Sequence, residues 1–438
     1  MDDNKISQYI DAQKFNKFHF GLVFWGVFLI TFTGYGAAAY GSVVSFFYKE
    51  WPGLSEDIVS YIASFQELGS LFGAIYFSSI TYRYGIKKVL IASTMLYCLG
   101  TFGQSLAPSI YILGILRVVA GFGFGGVIPL VISLVSEYSP KTSKSKAVTM
   151  ALSGNQIGSI IVSIIAIYVT SQMKWRPIFW LAVIPVVFVP YIFKVLPESS
   201  LYLIHQKDTE GLKKVLARVN PNFANEIDVD QIVENYVEVE DVPKVSYLEL
   251  FRSEYGLISV LSCLIAVMGL LFMNAVITWL PSVMVEAGYK LDSGWLFTIF
   301  LCGGAIIGSF YWAAVADKKG FAILMPMLYI LGSISLMLMG MKSNLALLYI
   351  FITLVGFFLF SAHSLVSAFV AQHYPEELRV TAVSLPNSLG RLGGLLGPSL
   401  GGELLAHNVS VTGWFMVFAG AGLIAAVSFI FINISSDL

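Results

Sequence analysis

The sequence predicts an all-α membrane protein of twelve transmembrane helices in two pseudo-symmetric six-helix bundles, and three observations carry that expectation. The first is composition. Of 438 residues, 57% are hydrophobic and 12% charged, too apolar for a soluble chain of this length. The second is the pattern of apolar runs. A spanning helix needs about 20 mostly apolar residues, and the chain supplies twelve such runs, six on each side of a hydrophilic interval at 197–254. The short alternating segments of a membrane barrel are absent. The third is an internal repeat. Gly34, Gly69, Gly73, Gly85, Gly121, Pro140 and Gly158 find the same residue type 235 positions later, at Gly269, Gly304, Gly308, Gly320, Gly356, Pro375 and Gly393, and Ala147-Val148 recurs at Ala382-Val383. Glycine is common in apolar chains, so each match alone is weak. One offset shared by all of them points to duplication, the organisation of transporters built from parallel repeats.

Taken in order, residues 1–19 read as a polar tail. The apolar run at 20–48 is longer than a secretory h-region and reads as an uncleaved first span. An N-terminal bundle at 20–196, a linker at 197–254 and a C-terminal bundle at 255–438 follow, with a short amphipathic helix expected in the linker at 210–219. If both termini share one side, that side holds nineteen lysines and arginines, among them Arg83, Lys87, Lys88, Lys318 and Lys319. The other holds five: Lys49, Lys174, Arg176, Lys290 and Lys342. Positive charge marks the cytoplasmic side, so both termini and the linker are expected there, in a cell membrane. The acids of the linker, including Glu238, Glu240 and Asp241, weigh little in that rule.

Other classes are excluded by what is missing. A net charge of −1 disfavours nucleic acid as a partner. Cys98, Cys263 and Cys302 lie on separate apolar runs without metal-ligand spacing and read as packing residues. There is no nucleophile–base pair, nucleotide loop or ligand cluster, so no enzyme activity, cofactor or metal is expected.

Ionisable groups at membrane depth cost roughly 2.5–3.5 kcal/mol each on insertion scales, and four stand out: Glu67, Arg117, His363 and Arg391. The positions 235 away from them are Cys302, Ile352, Ile128 and Gln156, so charge is placed in one half at a time. Arg391 offers a planar, permanently charged fork for a carboxylate and is expected to anchor a small organic anion; the alternative is that it bonds helix carbonyls beside Gly390, Gly393 and Gly394. Gln156 with Asn155 would complete a polar floor, or else bridge helices. Burial disfavours the charged carboxylate of Glu67, which suits a proton carrier, with Arg117 as its opening and closing partner or the two as a static pair. His363 is a further candidate for the substrate site, its alternative a hydrogen-bonded packing residue. The spacing of Gly69 and Gly73, Gly304 and Gly308, and Gly121 and Gly125 lets helices approach closely.

The stretches Arg83-Tyr84-Gly85-Ile86-Lys87-Lys88 and Asp317-Lys318-Lys319-Gly320 resemble the short basic loop of the major facilitator superfamily, with Tyr82 where the first loop usually has aspartate. The resemblance narrows to the aromatic acid:proton symporters through Arg117–Gly126 with Pro129, Trp175–Phe179, Leu196–Ser199, Trp279-Leu280-Pro281 with Glu286–Gly288, and Gly390–Pro398. It implies the major facilitator fold, a monomer with alternating access, and proton-driven import of an aromatic carboxylate. It implies gating at Arg83, Gly85, Asp317 and Gly320. Tyr35, Tyr40 and Trp279, with Asn274 one turn before Trp279, are candidates to line the cavity; interfacial or core placement is the default for any one aromatic residue, and only Tyr35 and Trp279 rise above it by standing in or beside these motifs. One departure matters. The first-span Asp-Gly-x-Asp of that family reads Thr33-Gly34-Tyr35-Gly36 here, which removes both acids and leaves open a proton-independent uniporter or exchanger. A membrane receptor that signals through the linker is the reading from another class.

Overall fold

The computed structural model describes residues 3–169, 174–225, 227–234, 250–251, 255–341, 343–374 and 376–436. Twelve long helices form two halves. The first holds α1 (Lys17–Glu50), α2 (Glu56–Tyr84), α3 (Ile86–Gln104), α4 (Ile110–Tyr138), α5 (Lys144–Val169) and α6 (Pro177–Val195). The second holds α7 (Gly256–Glu286), α8 (Leu291–Lys319), α9 (Leu324–Met339), α10 (Leu345–Gln372), α11 (Glu376–Ala406) and α12 (Val411–Ser436). Among the described residues nine are long and apolar enough to cross a membrane, and α3, α9 and α11 complete the twelve.

The repeat read from the glycines is built into the packing. A Cβ added at Gly69 or Gly73 of α2 would lie 2.1 Å from the carbonyl oxygen of Val118 or 1.8 Å from that of Phe122 in α4. Their mates Gly304 and Gly308 of α8 meet the carbonyls of Thr353 and Phe357 of α10 at 2.2 and 2.4 Å. Positions 118 and 353, and 122 and 357, are again 235 apart. Gly121 and Gly356 return the contact, on the carbonyls of Gln66 and Leu301. Between apolar helices in lipid, such backbone-to-backbone packing replaces the hydrophobic drive available in water. Gly85 and Gly320 end α2 and α8 with φ of +86° and +77°, in the left-handed region that glycine enters without penalty. The symmetry breaks in α10, where Gly356–Phe360 is a π-turn while α4 stays regular. The mate of Pro140 at Pro375 lies outside the described residues.

Among the described residues, the apolar contact between the halves lies toward one end. Away from the termini, Tyr40, Val44 and Phe47 of α1 share a buried cluster with Val276 and Leu280 of α7 and Trp295 of α8. Toward the termini the first half has its own core of Leu22, Ile30, Val131 and Leu134, and this closes on the linker. Among the described residues, apolar packing between the halves is therefore concentrated at the distal end.

Within the polar N-terminal stretch, residues 3–11 are helical. A helix at Asp3–Asp11 buries Ile6 and Ile10 in the cluster that holds Leu212 and Leu216 of the linker helix Thr209–Val219. Asp11 pairs with Lys144 at 3.1 Å, and Asn16 donates to the Val219 carbonyl at 2.6 Å. The linker is tied in from the other side too. Glu198 accepts from the Lys87 amide at 2.9 Å beside Gly85. Glu137 accepts from the amide and hydroxyl of Ser200, each at 2.6 Å. Residues 235–249, with Glu238, Glu240 and Asp241, lie outside the described residues.

Overpacking a close crossing costs typically 1–3 kcal/mol, more than the roughly 1 kcal/mol that alanine gains over glycine inside a helix. Gly121→Ala and Gly356→Ala should each lower the melting temperature of the purified protein. Gly303→Ala, which meets nothing within 4 Å, should not. Equal melting of all three would contradict the packing described.

Candidate functional site

One seam between the halves is polar. Along it α2 runs against α11, and residues 61, 64, 67 and 70, three apart, share one face of α2. Starting at the distal end, the Tyr61 hydroxyl donates to Glu403 Oε1 at 2.9 Å, the Ser64 and Ser399 hydroxyls pair at 2.7 Å, and Arg391 Nη1 donates to Ser70 Oγ at 2.9 Å. The Ser70 hydroxyl in turn faces the backbone carbonyl of Glu67 at 2.9 Å and its carboxylate Oε2 at 3.0 Å. A hydroxyl accepts and donates at once. Ser70 thus stands between guanidinium and carboxylate, and no direct ion pair joins Arg391 to Glu67 among the described residues. Asn274 of α7 reaches the same spot: its Nδ2 and Glu67 Oε2 lie 3.1 and 3.3 Å from where a Cβ on Gly394 would sit. Glycine at 394 keeps that space open.

Arg117 works from behind. It is 3% exposed, and its Nε and Nη2 donate to the carbonyls of Ile62 and Ala63 at 3.0 and 2.8 Å. Its guanidinium lies over the Tyr40 ring, 4.1 Å from the centroid, and the Tyr40 hydroxyl donates to Val59 at 2.7 Å. The expected Glu67/Arg117 pair is not formed. Arg117 instead holds the turn of α2 that presents Glu67, since Ala63 is four residues before it.

The second seam, α5 against α8, has no such charge. Where α2 has Glu67 and Ser70, α8 has Cys302 and Ala305, both buried, and where α11 has Arg391, α5 has Gln156. Gln156 and Asn155 are half-buried, and neither side chain is hydrogen-bonded among the described residues. They are not joined to Arg391.

Three sequence candidates fall elsewhere. Tyr35 is 1% exposed and donates to the Ile178 carbonyl inside the first half. His363 packs on Gly269, with Nδ1 3.4 Å from the Tyr329 hydroxyl, inside the second half. Tyr35 is thus a core residue, and His363 is half-buried in the space that Gly269 leaves beside it. Trp279 donates to the Pro398 carbonyl at 2.7 Å and lines a distal cleft of about 250 Å³ with Tyr48, Glu56, Glu286 and Asn408. It belongs to the distal closure. Of the gating residues, Gly85 is braced by Glu198, while Gly320 faces open space. Arg83 is exposed over the Tyr84 ring, and the Asp317 side chain lies outside the described residues. Ser70 carried no signal of its own in the sequence; only its spacing from Glu67 marks it.

The place of the missing first-span acids is filled. A Cβ at Gly36 would lie 2.2 Å from the Tyr97 hydroxyl, which donates to the Thr33 carbonyl at 2.8 Å, and the Thr33 hydroxyl is turned back to Ile30 at 2.7 Å. No carboxylate fits there without moving Tyr97. Gly36→Ala should therefore destabilise the protein despite alanine's helix preference. In a Tyr97→Phe background, where the nearest atom becomes a ring carbon at 3.0 Å, the loss should shrink. A double-mutant cycle on melting temperature reads the difference, and additive effects would contradict the contact.

Comparison with known proteins agrees with this architecture. The family profile of the Major Facilitator Superfamily matches residues 24–398 and 263–436. The chain is 30% identical over 433 residues to the benzoate transport protein of Acinetobacter baylyi, covering 98% of this chain and 92% of that one. It is 30% identical over 407 residues to the gentisate transporter of Corynebacterium glutamicum, covering 92% and 85%, and 26% identical over 408 residues to a 4-hydroxybenzoate transporter of Pseudomonas aeruginosa, covering 91% and 89%. In fold, it is similar to the inward-open xylose transporter of E. coli, with a TM-score of 0.73 at 15% identity, covering 94% of this chain and 95% of that one. The chain is a multi-pass membrane transporter, not an enzyme: it belongs to the major facilitator superfamily and, within it, resembles the aromatic acid:proton symporters.

Proposed function

We propose that this transporter imports a small aromatic carboxylate together with protons, with Arg391 as the anion anchor and Glu67 as the proton carrier. The observation that carries the reading is the Arg391–Ser70–Glu67 bridge across one seam only. A half-buried guanidinium with one donor on a neutral hydroxyl keeps further donors for a ligand carboxylate, and a bidentate pair suits a carboxylate in geometry and charge. The named substrates of the relatives, benzoate, gentisate and 4-hydroxybenzoate, support an aromatic carboxylate. Asn274 adds an amide at the same spot. With Tyr97 in the place of the first-span acids, Glu67 is the acid beside the anion anchor. The charge asymmetry of the loops favours cytoplasmic termini, so the shut distal end faces out and the chain works as a monomer that opens inward.

The test is the initial rate of labelled 4-hydroxybenzoate uptake into proteoliposomes, measured above protein-free vesicles because neutral aromatic acids cross lipid unaided. An inward proton gradient should raise the wild-type rate several-fold. Glu67→Gln should lose that stimulation yet keep exchange of labelled for unlabelled substrate. Wild-type uptake indifferent to the gradient would favour the proton-independent reading, and a Glu67→Gln protein with full stimulation would remove Glu67 from the role.

A further inference from the structure

The Ser70 hydroxyl stands in an unusual position. It is buried and is hydrogen-bonded to Arg391 from the other half of the molecule, while facing Glu67 of its own helix. It is also the innermost rung of the α2–α11 ladder. The two rungs nearer the distal end, Tyr61–Glu403 and Ser64–Ser399, need no cationic partner. Only the Ser70 rung uses a donor that a ligand anion would want.

We infer that Ser70 is a positioning residue that makes the substrate carboxylate and Glu67 alternatives for Arg391, and thereby sets one proton per carboxylate carried without net charge movement. The inference rests on the proposed roles of Arg391 and Glu67. In the empty site the guanidinium holds Ser70, and Ser70 passes that polarisation to the Glu67 carboxylate. A carboxylate ligand takes the Arg391 donors, and the Ser70 hydroxyl loses its cation. Glu67, left without that support at membrane depth, takes a proton from the aqueous side, and the proton ends on its carboxyl oxygen. The site thus exchanges one negative charge for another: Glu67 carboxylate before, substrate carboxylate after. The other charged or titratable groups around Glu67 are Arg117 of α4 and Tyr97 of α3. Arg117 gives Nε and Nη2 to the α2 carbonyls and keeps Nη1 without a partner among the described residues, and Tyr97 gives its hydroxyl to Thr33; in this account neither takes over the Ser70 contact when substrate enters.

Ser70→Ala and Ser70→Thr, each checked for monodisperse elution, test this beside the wild type, with 4-hydroxybenzoate as probe. Removing the competing hydroxyl should lower the half-saturation constant by ~2- to 10-fold above neutral pH, the worth of one hydrogen bond. It should also flatten its pH dependence and drop the ratio of protons to substrate below that of wild type. Threonine, which keeps the hydroxyl, should restore both. In the wild type, a potassium diffusion potential at equal pH should leave uptake unchanged. A Ser70→Ala protein with wild-type pH dependence and ratio would overturn the positioning role. So would one that elutes normally but no longer binds substrate, since Ser70 would then touch the ligand itself. Uptake driven by the potential alone would overturn the charge balance. A wild type with no proton-driven uptake would instead count against the proposed function, so the two failures are distinguishable.

Discussion

A guanidinium and a carboxylate at membrane depth must find partners or cost several kcal/mol, and in this molecule they find them across the seam between α2 and α11. That requirement orders the surroundings. Arg391 needs Gly394 beside it, where a side chain would crowd Asn274 and Glu67. Glu67 needs its turn of α2 held still, and Arg117 holds it by two backbone carbonyls. Arg117 is itself held over Tyr40, which reaches back to α2 at Val59. Three helices of the first half are thus committed to the presentation of one carboxyl group.

On the proposed function, the rest of the architecture lets that seam open and close. Glycine crossings lock α2 to α4 and α8 to α10 backbone to backbone, so each half moves as a block and deformation is left to the interface between them. At the terminal end, the first half is fastened to its linker through Glu137, Glu198 and the helix at Asp3–Asp11. Among the described residues, the second half shows no matching brace at Gly320. The distal end is shut by apolar packing around Trp295 and Trp279 and by neutral hydrogen bonds, with the Tyr61–Glu403 bond at its exposed rim. These are contacts that can be exchanged for others without stranding a charge.

The fold was legible because it rests on patterns that survive in one dimension. The apolar runs mark the twelve helices, and the glycine offset of 235 reappears as matched contacts at Gly69 and Gly304, and at Gly73 and Gly308. Glu67 and Arg391 were legible because a charge in an apolar run demands a reason. What the sequence concealed was partnership. Arg117 and Arg391 look alike on paper, yet one is committed to helix carbonyls and the other to the seam, a difference made by residues far away in the chain. Tyr35 and His363 looked like cavity residues, but the Tyr35 hydroxyl is spent on the Ile178 carbonyl and the His363 ring fills the space beside Gly269. Tyr97 filling the place of the lost acids had no sequence signal, and neither did the packing of residues 3–11, where Ile6 and Ile10 pass for part of a polar tail.

The central claim is that substrate takes Arg391 and Glu67 takes a proton in the same event. Infrared difference spectroscopy on adding 4-hydroxybenzoate to the purified protein reads this directly. The account predicts a protonated carboxylic acid band that appears with substrate and is missing in Glu67→Gln. Substrate binding with no such band in the wild type, or with the same band in the variant, would contradict it.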